Sequence, residues 1–522
     1  MKKIKDICLA ILDKMAVRRK VSALILGAML ASALPPFFQF WAMFAAFSGA
    51  LFLCAHADGK KNLSAIGYWF GFAYFACGFY WIGNALLVDV ARTGWLYVPV
   101  LLLNGAFFAV FTILPFLVTA YGKNIVTKIL FFALAWFLIT EYTREYILTG
   151  FPWNPVSSML AFRPKMLQTL VWWGTNGLSL VAVLMAAWPA VWLVKPNRKT
   201  FAAALLSLVA VSGLWEYGEQ VFANRPQIPD GNSLVVRLVQ PNIAQSLKWS
   251  KDAAEANLQK YVDLSKGNDS QYVDFTVWGE TAFPFDLQYD EAHRKKIIKA
   301  IPNRGYLITG FLRFEPTENG YIHYNSFGVI NRKGDVLATY DKSHLVPFGE
   351  YIPFRRYLPQ WVKPIANVVA EFGRGIQYQT IKLNEYPEFA PLICYEVIFS
   401  GEIMRRENKP KWVVILTNDG WYGVSAGPYQ HLIAAKMRAI EEGVSVVRCA
   451  NTGISAVLTP YGTVRKHLAL NSDGAIDVLV KPDEARTTLF GQYGNKIALA
   501  MAGILLILSL LLNAVAGKFH KR

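Results

Sequence analysis

Long apolar runs separated by short polar segments fill the first 216 residues, and the pattern changes character after that. Runs near 21–36, 38–55, 66–87, 95–119, 126–147, 166–194 and 199–216, with a last one near 495–516, are read as spans. Crossing about 30 Å of hydrocarbon takes roughly 20 apolar residues. The pattern therefore predicts a multi-pass α-helical membrane bundle of about eight spans. The first run is short and ends at Pro35-Pro36, so the first two can form a bent pair. Between 217 and 493 short β-rich runs recur instead, at Leu234–Asn242, Phe275–Glu280, Tyr306–Phe314, Ser326–Asn331, Pro391–Ile398, Trp412–Asn418 and Ser445–Ala450. Helical patterns lie among them at Asp252–Ser265, Asp290–Ala300 and Gln430–Glu442. Strands alternating with helices predict an α/β domain whose helices cover a sheet. The expected division is a membrane domain at 1–216, an extramembrane domain at 217–493, and a closing span with its tail at 494–522.

Composition agrees with the membrane reading. The chain is 54% hydrophobic and only 17% charged, where soluble domains carry about 25% charged residues. Its net charge of +17 raises the question of nucleic acid, and distribution answers it. Block 217–493 holds 31 basic and 29 acidic residues, and the remainder 22 and 7. The excess thus sits in short segments between apolar runs, not on a folded face as nucleic-acid binding would need. With the N-terminus inside, the inner segments collect Lys2, Lys3, Lys5, Lys14, Arg18, Arg19, Lys20, Lys60, Lys61, Lys123, Lys128, Lys195, Arg198, Lys199, Lys518, Lys521 and Arg522. The outer loops have only Arg92, Arg144, Arg163 and Lys165. Basic loops stay cytoplasmic, so both termini are expected in the cytoplasm and block 217–493 on the far side, the periplasm of a double-membrane bacterium. Glu141, Arg144 and Glu145 fall near one outer end, where docking of the domain or contact with lipid headgroups are both open.

Two of the five cysteines, Cys394 and Cys449, lie in the extramembrane block. A disulfide between them stays open, and Cys449 reads as structural. Cys394 differs because it stands where a hydrophobic strand meets polar residues, in Pro391-Leu-Ile-Cys-Tyr-Glu396. Strand ends are where ligand sites gather in α/β folds. Phe275-Thr-Val-Trp-Gly-Glu280 and Tyr340-Asp-Lys-Ser-His-Leu-Val-Pro-Phe-Gly-Glu-Tyr351 have the same shape. Singly, a carboxylate ending a strand or a loop lysine is an ordinary solvated group. Seven scattered histidines without ligand spacing signal no metal site, and there is no nucleotide-type phosphate loop.

In the order Glu, Lys, Cys, the three segments resemble the carbon–nitrogen hydrolase (nitrilase-like) superfamily. Trp278-Gly-Glu280-Thr, Asp341-Lys342-Ser-His344-Leu-Val-Pro-Phe-Gly-Glu350 and Ile393-Cys394-Tyr-Glu396 match its three motifs. Joined to a membrane bundle, the chain is similar over essentially its whole length to the apolipoprotein N-acyltransferases. The resemblance implies an αββα sandwich and transfer of an acyl chain from a phospholipid, such as phosphatidylethanolamine, to the N-terminal amine of a diacylglyceryl-cysteine apolipoprotein. It implies Cys394 as nucleophile, Glu280 as proton acceptor and Lys342 as stabiliser of thiolate and oxyanion, in a ping-pong cycle at the bacterial inner membrane without cofactor.

Supporting roles follow from the same motifs. Glu350 is expected to hold Lys342 charged. Tyr395 and Glu396 flank the nucleophile, and Glu396 either orients its neighbours or binds the substrate amine. Asn242 and Trp249 resemble a family loop near substrate, with an ordinary interface aromatic the equal alternative for Trp249. His344 reads as packing. The spacing of Trp361, Ile365, Val368, Val369 and Phe372, mixed with basic residues, fits an amphipathic arm. Trp361 and Ile365 are accordingly expected in a lid that gates lipid entry, and Gly420–Gly427 in a second mobile loop. The alternatives are a membrane-tethered amidase acting on a small substrate, and a transporter or receptor with an inactive domain.

Overall fold

The computed structural model describes residues 14–267, 272–318, 320–359, 364, 371–383 and 385–520. The expected lid residues Trp361 and Ile365 lie outside the described residues. Two compact units are present. One takes the described residues up to Gly83, Trp95–Asn224 and those from Tyr493 onward; the other takes Asn84–Gly94 and Arg225–Gln492.

The first unit is helical. Five helices among the described residues are long and apolar enough to cross a membrane: Val90–Tyr121, Ile125–Glu145, Leu170–Val194, Arg198–Ala223 and Lys496–Lys518. A sixth is reached if Gly59–Gly78 and Tyr80–Leu87, bent by 45°, count as one span. The first two expected spans form helices of 14 and 16 residues, Arg19–Ser32 and Phe40–Ala55. At 1.5 Å per residue these reach only about 21 and 24 Å, because the chain turns at the intervening prolines. Local signals start other helices where the sequence places them. Asn124 and Asn197 each cap the backbone N–H three residues on, and Thr127 and Thr200 return the bond. Inside, Trp136 stands edge-on to Phe47 at 5.0 Å, a favourable aromatic geometry. At Gly71 any side chain would run into Thr112 of the neighbouring helix, the close approach that small residues permit between membrane helices.

The second unit is built from two six-stranded sheets. Its strands are β1 Leu234–Gln240, β2 Phe275–Val277, β3 Tyr306–Thr317, β4 Gly320–Ile330, β5 Val336–Asp341, β6 Ile381–Leu383, β7 Tyr386–Ile393, β8 Trp412–Thr417, β9 Ser445–Ala450, β10 Ser455–Leu458, β11 Val464–Leu468 and β12 Gly474–Val480. Strand order is β12-β1-β2-β3-β4-β5 in one sheet and β11-β10-β9-β8-β7-β6 in the other. β1, β2 and β3 run parallel, as do β7, β8 and β9. Alternate residues of both sheets meet in one apolar core, with Val236, Leu238 and Val277 from the first and Trp412, Val414, Leu416 and Val447 from the second. The outer face of the first sheet is covered by the helix Ala254–Ser265 through Leu258, Tyr261 and Val262, beside Trp278. Ala426–Glu442 packs beside β9. This is the αββα sandwich the resemblance implied.

Three local readings change. The run read as a strand to Ile398 stops at Ile393, and Cys394–Ile398 is a tight 3₁₀ turn. Cys394 takes φ +51° there, which ends the ladder. The strand expected to reach Asn242 ends at Gln240, because Asn242 likewise has φ +52°. β6 and β10–β12 had no signal of their own, and of β5 only its end at Tyr340-Asp341 was read.

Candidate active site

Each motif delivers its side chain just beyond a strand. Glu280 follows β2, Lys342 follows β5 and Cys394 follows β7. All three are buried, at 7%, 1% and 5% exposure. Glu280 is placed by its neighbours: Trp278 is fully buried and donates from its indole to Ser265 at 2.9 Å, and the Glu280 N–H donates to the Thr417 carbonyl. Gly310 on β3 lies against the backbone of Glu280 and Thr281, where a Cβ would collide. Thr281 and Cys394 both have positive φ, at 44° and 51°. Strained non-glycine backbone of this kind persists where surrounding structure imposes it, often at functional sites.

Lys342 organises the charges. Its ammonium donates to Glu350 Oε1 at 2.9 Å and lies 3.6 Å from Glu280 Oε1. Asn325 bridges the two carboxylates, donating to Glu280 Oε1 at 2.7 Å and Glu350 Oε1 at 3.1 Å. The other Glu350 oxygen accepts the Val346 N–H at 2.9 Å. Burial works against the Lys342 ammonium, but the Glu350 and Glu280 carboxylates outweigh it and hold its pKa above the usual lysine value. Burial pushes the Cys394 thiol up to about 12, with Glu280 adding to the rise and Lys342 opposing it. Cys394 therefore rests as a thiol, and a nucleophilic role for it would require a base to act as it attacks.

Glu396 is buried and accepts five hydrogen bonds. Its Oε1 accepts from Tyr340 Oη at 2.6 Å, Ser343 N at 2.7 Å, Ser343 Oγ at 2.6 Å and His344 N at 3.1 Å, and its Oε2 from Ile393 N at 2.8 Å. It ties the turn bearing Cys394 to the loop bearing Lys342, an orienting geometry. Tyr395 is buried edge-on to Phe399. Asn242 is tied by its N–H to the Asn451 carbonyl. Trp249 is half-buried, its indole N–H without a partner among the described residues. His344 stacks on Phe399 at 4.1 Å, and burial lowers its pKa to about 4, so it is a neutral packing residue. Cys394 and Cys449 are both free thiols. Cys449 donates to the Val277 carbonyl at 3.1 Å.

Several residues close to Cys394 carried no sequence signal. His431 approaches the Cys394 carbonyl through Nε2 at 3.1 Å and Asp419 through Nδ1 at 2.8 Å. Arg448 donates to Asp419 at 2.6 Å. Asp419, His431 and Cys394 bring potential metal-ligand atoms within 4.8 Å of one another. Arg448 already supplies a fixed cation there, 3.2 Å from His431 Nδ1, so the donor set does not suit a metal ion. Lys248, at the end of a one-turn helix Gln245–Lys248, donates to the Glu280 carbonyl at 2.7 Å. In the helical unit, Glu141, Arg144 and Glu145 are buried.

The Carbon-nitrogen hydrolase model matches residues 235–488, and the Apolipoprotein N-acyltransferase N-terminal domain model matches residues 26–188. An apolipoprotein N-acyltransferase of Rhodopseudomonas palustris is 35% identical over 519 residues, covering 96% of each chain. One from Bradyrhizobium diazoefficiens is 35% identical over 542 residues, covering 100% of this chain and 99% of its own. Among solved structures, Saccharomyces cerevisiae Nit3, a member of branch 10 of the nitrilase superfamily, overlaps 50% of this chain and 94% of its own at 18% identity and a TM-score of 0.37. Carrying both the membrane-domain and hydrolase-domain matches, with full-length relatives at 35% identity, the chain belongs to the apolipoprotein N-acyltransferase family.

Proposed function

We propose that this enzyme moves an acyl chain from a membrane phospholipid such as phosphatidylethanolamine to the N-terminal amine of a diacylglyceryl-cysteine apolipoprotein, through a thioester on Cys394. The observation that supports the reading is the electrostatic coupling of buried Glu280, Lys342 and Cys394, which follow strand ends of the two facing sheets. Cys394 Sγ attacks the ester carbonyl while Glu280 takes its proton. The oxyanion is stabilised by the Lys342 ammonium and a backbone N–H such as that of Tyr395. Collapse breaks the ester C–O bond, and Glu280 returns the proton to the departing lysophospholipid. The amine then attacks the thioester, the C–S bond breaks, and Glu280 again accepts a proton before restoring the thiol. One oxyanion donor is worth about 10²–10³ in rate. Glu350 keeps Lys342 charged, Glu396 orients the two loops, and Asn242 and Trp249 line the substrate approach.

The setting is a bacterial inner membrane, with about eight spans once the short first two helices are counted. The basic inner segments support cytoplasmic termini and a periplasmic 217–493. The test is transfer itself: in phosphatidylethanolamine micelles, a diacylglyceryl-cysteine peptide should gain one fatty-acyl mass on its α-amine. Hydrolysis of small amides with no gain on the peptide would favour a tethered amidase instead.

A further inference from the structure

The backbone of Cys394 has φ +51°, a region that a side chain disfavours, so its surroundings must impose it. Three buried side chains hold the turn. Glu396 Oε2 accepts the Ile393 N–H at 2.8 Å just before it. Arg438 donates to the Ile398 carbonyl at 3.0 Å at its end. His431 Nε2 lies 3.1 Å from the carbonyl of Cys394 itself. Of the three, only His431 acts on the peptide that joins Cys394 to Tyr395.

A carbonyl only accepts hydrogen bonds, so Nε2 carries a hydrogen whatever the state of Nδ1. His431 is fixed from behind. Asp419 Oδ1 is 2.8 Å from Nδ1, and Arg448 donates to Asp419 Oδ2 at 2.6 Å. All three side chains are at most 1% exposed. They come from three elements: the helix Ala426–Glu442, the turn after β8, and β9. His431 also lies within 4.8 Å of the Cys394 sulfur. With Nε2 protonated and Nδ1 facing Asp419, however, its ring offers the thiol no lone pair, and the base remains Glu280.

A trans peptide is planar, with its C=O and N–H on opposite sides. Fixing the Cys394 carbonyl toward His431 therefore fixes the direction of the Tyr395 N–H, the backbone donor to the oxyanion in the reaction above. Without that bond the plane is free to turn, and the donor is lost even with the thiol in place. We propose that His431 is a positioning residue for acyl transfer: by holding the Cys394 carbonyl, it aims the Tyr395 N–H at the oxyanion formed when the ester, and later the thioester, is attacked. The proposal rests on the thioester reading above. His431 neither gains nor loses a proton in either step.

The test compares reactions that make an oxyanion with one that does not. Thioester formation from phosphatidylethanolamine and its discharge by a diacylglyceryl-cysteine peptide are timed by intact mass. Alkylation by iodoacetamide, a displacement at a tetrahedral carbon, is timed on the Cys394 peptide at the same pH. Glutamine places an amide nitrogen near the position of Nε2, whereas asparagine stops near Nδ1 and leucine has no donor. His431→Asn and His431→Leu should each lower both half-reactions about 10²-fold, while alkylation changes less than about threefold. His431→Gln should recover about tenfold or more of that loss. Alkylation that changes as much as acylation, in either direction, would mean a displaced thiol or a lost fold and would overturn the proposal. Wild-type transfer in His431→Asn, or no recovery in His431→Gln, would overturn it too. A wild-type protein that forms no thioester would overturn the reading beneath it, and the proposal with it.

Discussion

Two of the molecule's buried charge clusters are treated in opposite ways. In the helical unit, Glu141 accepts from Trp136 Nε1 at 3.1 Å, Val156 N at 3.3 Å and Ser179 Oγ at 3.3 Å. Arg144 donates to the carbonyls of Thr140, Phe151 and Trp153, each at 2.8 Å, and Glu145 accepts from Asn176 at 3.0 Å. These charges are bonded largely to backbone that leaves regular helix geometry around Trp136–Tyr142 and Leu148. In the sandwich, Lys342 lies between two carboxylates, 2.9 Å from Glu350 Oε1 and 3.6 Å from Glu280 Oε1, and beside Cys394 in its electrostatics. Burial is costly for every ion. The first cluster uses it to hold a fold, whereas the second is proposed to hold the reacting groups.

Substitutions should separate the two roles. The largest effect is expected from Glu280→Gln, which should lower acyl transfer about 10²–10⁴-fold. The same change should speed alkylation of Cys394 by iodoacetamide at fixed pH, since removing the carboxylate charge lowers the thiol pKa. Slower alkylation would mean that Glu280 already draws the proton from the resting thiol. In the wild type the thiol at about 12 implies that the thiolate fraction grows about tenfold per pH unit through pH 8–11, so alkylation should rise there without a plateau near 8.5. Lys342→Met should cost about 10²–10³ in kcat with KM less affected.

Arg144→Leu should act on stability, costing about 3–5 kcal/mol in thermal unfolding while kcat per folded molecule changes less than about twofold. A fall in kcat at unchanged stability would break the comparison. Smallest is Glu396→Gln, where weaker charge-assisted bonds should cost about 1.5–3 kcal/mol and lower kcat only moderately.

Strand-end chemistry was legible because the apolar runs ending at Glu280, before Lys342 and at Cys394 are local patterns. The helix over 430–442 was equally local, set by its apolar spacing. What the sequence does not display is pairing at a distance. Nothing in Gly474–Val480 announces that it lies antiparallel to Leu234–Gln240, and short, partly exposed Val464–Leu468 offers no buried face to read. His431, Asp419 and Arg448 are single polar residues whose meaning comes from partners on other elements. Lys248 looks like any helix-end lysine until burial against the Glu280 carbonyl is seen. Glu396 was legible as a site residue but not as a tie between two loops, because most of its donors come from a loop some fifty residues earlier.

The central claim is the covalent intermediate. Purified protein incubated with phosphatidylethanolamine, beside Cys394→Ala, should gain one fatty-acyl mass by intact-protein mass spectrometry, removable by neutral hydroxylamine and absent from the variant. No adduct on the wild type, or the same adduct on Cys394→Ala, would contradict it.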